Sequence, residues 1–110
     1  MSAHKNAEIR LSVGLDENKV PESIRWSAED GGIEDQRAKA FMLTVWDSEL
    51  RESLSIDLWT KDMPVDEMKM FFFQTLHRMA DTYQRATADS ELSEKIRDFS
   101  QYFGDRIGSE

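Results

Sequence analysis

The chain has 110 residues, 22 of them acidic and 14 basic, for a formal charge of −8, and it contains no cysteine. This length fits one domain around one core. The missing thiols exclude disulfides, thiolate nucleophiles and zinc–thiolate clusters, and the acidity disfavours phosphate backbones and anionic lipid surfaces.

The expectation is a single domain over 1–110, ordered from about 7 to 107, that binds no nucleic acid and enters no membrane. Met1 to Arg10 carries His4, Lys5, Glu8 and Arg10 and lacks the run of roughly 7 to 15 apolar residues a secretory signal requires. Apolar runs elsewhere reach about four residues, against ~20 for a bilayer span. A cytoplasmic location follows as an expectation.

Ala7, Ile9, Leu11, Val13 and Leu15 alternate with Glu8, Arg10 and Ser12, the period of a half-buried strand. Asp16 to Lys19 is rich in turn formers, and Pro21 suits only a strand start or edge. A hairpin is predicted, with Ile24, Trp26 and Ala28 on one face of its second arm and Arg25 and Ser27 on the other. Glu29 to Gln36, acidic and holding Gly31-Gly32, reads as a surface loop. Ala38 to Trp46 is apolar on both faces and reads as a third strand buried twice. Leu54, Ile56 and Leu58 alternate with Ser55, Asp57 and Trp59 in a fourth.

At Asp62-Met63-Pro64 the period changes. Proline near a helix start, followed by Asp66 and Glu67, suits unpaired N–H groups and the helix dipole. Val65, Met68, Phe72, Leu76, Met79, Tyr83 and Ala86 form a stripe at helical spacing, expected to lie on a sheet, with Met70, Phe73, His77 and Ala80 beside it. Asp89 or Ser90 caps a second helix with the stripe Leu92, Ile96, Phe99 and Phe103, ending near Gly104 or Gly108. The predicted fold is α+β: a four-stranded antiparallel meander followed by two C-terminal helices packed on it.

Few residues suit chemistry. His4 sits in a terminal tail and His77 in mid-helix, so no three-histidine or H-E-x-x-H metal site can form. Glu29-Asp30, Glu34-Asp35 and Asp66-Glu67 are sequence neighbours whose side chains diverge. Gly31-Gly32 matches no phosphate-binding pattern, and Asp16-Glu17-Asn18 lacks the remaining positions of a calcium loop. No enzyme activity, cofactor or metal is expected, and a catalytic role for Glu29, Asp30 or His77 would require a pocket gathering them.

Aromatic residues are more informative. Trp46, Trp59 and Phe71-Phe72-Phe73 offer more apolar directions than one helix layer on one sheet uses, since three consecutive helical residues sweep through about 200°. The surplus is either covered by the second helix and the Glu29 to Gln36 loop or serves as a protein interface. The candidate interface comprises Met42, Trp46, Trp59, Met70, Phe73 and His77, with a homo-oligomer as one outcome.

Three stretches, Trp26 to Gly32, Ala38 to Leu43 and Ile56 to Met68 (IDLWTKDMPVDEM), together with Met79-Ala80-Asp81-Thr82, resemble the gliding motility-associated GldC family over roughly residues 7 to 103. The resemblance implies a cytoplasmic accessory protein of the bacterial gliding machinery, linked to type IX secretion, working through protein contacts and without catalytic residues to transfer. By element order alone the chain is also similar to the secretion chaperone SecB. That topological analogy implies a holdase for unfolded clients, and fold does not fix function.

Overall fold

A computed structural model describes residues 5 to 109; His4 lies outside them. The chain forms two compact units that meet in sequence between Met63 and Pro64.

The first unit holds β1 (Ile9–Leu15), β2 (Pro21–Ala28), a 3-10 turn (Glu29–Gly31), β3 (Ile33–Ala38), β4 (Ala40–Trp46) and β5 (Ser53–Trp59). The strands form two antiparallel sheets, one ordered β1-β2-β3 and the other β4-β5. This corrects the four-stranded single meander. The extra strand comes from the supposed acidic loop: Glu34-Asp35-Gln36-Arg37 has no apolar alternation, yet β2 supplies a ladder partner, with Trp26 opposite Gln36 and Ile24 opposite Ala38. Pairing overrides a sequence whose own strand preference is low.

The β2–β3 ladder carries an irregularity between Trp26 and Ala28. Asp35 takes a positive φ of 47° there, its N–H donates to Ser27 Oγ at 2.8 Å, and Arg25 donates to its carboxylate at 3.3 Å. One extra residue in β3 is thereby absorbed as a bulge. β3 and β4 are separated by Lys39 alone, at a bend. The stretch predicted as a third strand is thus the second part of a longer extended segment, whose halves belong to different sheets.

Ile24 is 1% exposed and marks the centre of the first sheet. Burial is otherwise sparse. The expectation that the third strand is buried on both faces is not met, because Leu43, Val45 and Trp46 are all exposed.

The second unit is an antiparallel helical hairpin of α1 (Val65–Thr87) and α2 (Ser90–Gly108). Pro64 stands at the N-cap of α1, and Asp66 and Glu67 occupy its first turn. Ala88 closes α1 in the left-handed region (φ 58°), its N–H bonded to the Gln84 carbonyl. The Asp89 carboxylate caps α2 by accepting from the Leu92 N–H at 3.1 Å.

The two helices approach through small residues. Ala80, Ser93 and Ser100 are at most 1% exposed, and both serine hydroxyls bond carbonyls of their own helix, Ser93 to Asp89 and Ser100 to Arg97. At Gly104 an added Cβ would lie 2.6 Å from the Phe73 ring. Arg97 ties the pair at the rim, donating to Asp81 at 2.8 Å and to Glu94 at 2.6 Å.

Gly104 therefore tests the helix contact. Gly104→Ala should lower the denaturation midpoint while Phe73 is present. In a Phe73→Ala background the same change should stabilise by about 1 kcal/mol, the helix-propensity gain of alanine over glycine; a thermodynamic double-mutant cycle measures the difference.

In the β1–β2 turn, Asp16 is pushed down from 3.8 to about 2, first by the Lys61 ammonium bonded to it and then by the Val20 N–H; Lys61 Nζ lies 2.6 Å from its carboxylate. A carboxyl lowered by folding stabilises the native state above its unfolded pKa and loses that contribution as pH falls toward the folded value. Asp16→Asn should therefore narrow its stability gap to the parent between pH 4 and 2, as read by denaturant midpoints across that range.

Candidate functional site

The β4–β5 hairpin exposes large apolar side chains on both faces. Its turn is closed by Asp47, whose side chain accepts from the Glu49 and Leu50 N–H groups at 2.8 and 2.9 Å. Those bonds, the one from Leu50 first, hold its carboxyl below the ordinary carboxylate range. The register that follows runs from Trp46 opposite Ser53 to Ala40 opposite Trp59.

Residues directly opposite in a ladder share a face. One face consists of Phe41 with Leu58, Leu43 with Ile56, and Val45 with Leu54, an unbroken apolar surface on which Ile56 is 56% and Val45 51% exposed. The other consists of Ala40 with Trp59, Met42 with Asp57, Thr44 with Ser55, and Trp46 with Ser53. There Trp46 is 67% and Trp59 56% exposed.

The structure thus places Met42, Trp46 and Trp59 on one face, with the indoles at opposite ends and Met42, Asp57, Thr44 and Ser55 between them. The apolar face behind them, which carries Phe41, Leu43, Val45, Leu54, Ile56 and Leu58, was not singled out from sequence as an interface. Its alternating Leu54, Ile56 and Leu58 were legible, but the pattern of a buried strand and that of an exposed interface strand are the same.

Met70, Phe73 and His77 lie on α1. Phe73 turns toward α2 at Gly104, while Met70 and His77 are exposed. In an antiparallel hairpin joined through the Phe73–Gly104 and Asp81–Arg97 contacts, a rotation of about 100° per residue carries Val65, Phe72 and Met79 to the same side as Leu92 and Phe99. These five residues are all exposed, so the helical unit also presents an apolar face.

Among the described residues no group of three His, Cys, Asp or Glu side chains could hold a metal ion. Asp30 is engaged with Lys5 at 3.1 Å, and Glu29, Glu34 and Asp35 are exposed.

A hollow of about 300 Å³ beside Ile24 is lined by Arg25, Arg37, Lys39, Thr60 and Asp62, among others. The Asp62 carboxyl is lowered there, first by its hydrogen bond from Thr60 and less by the charges of Lys39 and Arg37. Its cations are thus already balanced in part by a carboxylate of the same hollow. No helix among the described residues is long and apolar enough to cross a membrane.

The element order, strands followed by an αα-hairpin, defines a small α+β protein, with exposed apolar faces on the β4–β5 hairpin and on the helical unit. Residues 21–109 match the family model described as gliding motility-associated protein GldC-like, and the chain belongs to that family. No curated protein and no solved structure matches it.

Proposed function

We propose that this chain is a non-catalytic cytoplasmic accessory protein of the bacterial gliding apparatus and the type IX secretion machinery linked to it, acting as an adaptor through protein–protein contacts. The observation that carries this reading is the common face of Met42, Trp46 and Trp59, on which both indoles are more than half exposed. Tryptophan is among the residues most enriched in binding hot spots, because it buries a large rigid area and retains one polar handle.

The description of the matching family, gliding motility-associated, supports the process named here. A folded partner would be held by the rigid ladder geometry of the hairpin. Met70 and His77 form a separate candidate surface on the helical unit.

A photo-crosslinker at position 46 or 59, used in cells that glide, should capture one recurring partner from the motility or secretion machinery. With that partner purified, Trp46→Ala or Trp59→Ala should weaken binding roughly 30-fold, the effect of losing about 2 kcal/mol at a hot spot, while circular dichroism stays unchanged. Capture spread over unrelated unfolded chains, together with suppression of their aggregation, would instead establish the SecB-like holdase function. Turnover of a substrate by the purified chain would refute both.

A further inference from the structure

The β4–β5 sheet has only two strands, so β5 keeps one edge without a ladder partner. Which groups point outward along that edge follows from one bond. The Thr60 N–H donates to the Lys39 carbonyl at 2.8 Å, making Lys39 and Thr60 a hydrogen-bonded pair. The turn-side bond from the Asp47 N–H to the Glu52 carbonyl, at 2.9 Å, has the same phase.

In an antiparallel ladder such pairs alternate with non-bonded ones. Leu54, Ile56 and Leu58 therefore direct their backbone groups at β4. Ser53, Ser55, Asp57 and Trp59 direct theirs away from it.

Open edges are normally protected by proline, lysine, a bulge or shortness. β5 has none of these: it is seven residues long, SLSIDLW, and its one charge is Asp57. β1, by contrast, has Arg10, Gly14 and a register irregularity between Gly14 and Leu15.

We propose that β5 pairs antiparallel with the β5 of a second copy of this chain, about a two-fold axis passing at Ile56. The segment is self-complementary in that register. Ile56 opposes Ile56 of the second copy, and Leu54 opposes Leu58, which keeps the aliphatic face continuous. On the other face Ser55 opposes Asp57, so the hydroxyl can donate to the carboxylate and the two aspartates never face each other. Ser53 opposes Trp59.

Every outward backbone group of β5 finds a partner in this register, since the hydrogen-bonded pairs are the Ser55–Asp57 and Ser53–Trp59 pairs and Ile56 falls in a non-bonded one. A shift by one residue would direct aliphatic side chains to the opposite face of the neighbouring strand. The pairing rests on the ladder phase alone and does not depend on what the tryptophan-bearing face binds.

The cysteine-free chain allows a direct test. In a non-bonded antiparallel pair the Cα atoms lie about 4.5 Å apart, within the range of a disulfide. Ile56→Cys should therefore give a disulfide-linked dimer under mild oxidation. Leu54→Cys should not, because its counterpart lies roughly 14 Å away along the paired strand, and Leu43→Cys on β4 should not either.

Light scattering of the unmodified chain should show a dimer. Ser55→Asp, which sets two carboxylates opposite each other on both sides of the axis, should weaken it by roughly tenfold or more, and adding Asp57→Lys should restore it. A monomer at tens of micromolar, cross-linking through Leu43→Cys or Leu54→Cys as readily as through Ile56→Cys, or no rescue by Asp57→Lys would each overturn the proposal.

Discussion

The β unit depends on one extended stretch, Ile33 to Trp46, that serves two ladders in succession. Its first half completes the sheet begun by β1 and β2, and after the bend at Lys39 its second half pairs with β5. The Thr60 N–H and hydroxyl both donate to the Lys39 carbonyl, at 2.8 and 3.2 Å, and Thr60 is only 2% exposed. This junction sets the phase of the β4–β5 ladder, and with it the side on which each tryptophan, leucine and isoleucine appears.

A two-stranded hairpin is marginal in water by itself, and this one presents apolar side chains on both faces. Covering aliphatic and indole groups removes them from water and lowers the free energy, which is the physical ground for the association proposed above.

The helical unit shows a different economy. Small side chains at Ala80, Ser93, Ser100 and Gly104 let the helices approach closely, and Phe73 fills the space over Gly104. Of the apolar stripes, Met68, Leu76, Tyr83, Ile96 and Phe103 are half-buried. Val65, Phe72, Met79, Leu92 and Phe99 gather instead on one exposed side. Their spacing was visible in the chain, whereas the role of the serines was not, since serine buried between helices and serine on a solvated face leave the same letter in a sequence.

Local periodicity alone determined the first two strands, the last one, both helices, the Pro64 start and the Asp89 cap, because each of these is written in side-chain spacing and backbone chemistry within a few residues. Tertiary structure alone decided that Glu34 to Arg37 is a strand, that the extended stretch from Ile33 to Trp46 is divided at Lys39 between two sheets, and that Leu43, Val45, Trp46, Leu54, Ile56 and Trp59 of the hairpin are exposed. Those outcomes rest on a ladder partner distant in sequence, on a bulge at Asp35 that takes up one extra residue, and on which neighbours come to cover a face. None of these is encoded in the period of a single segment.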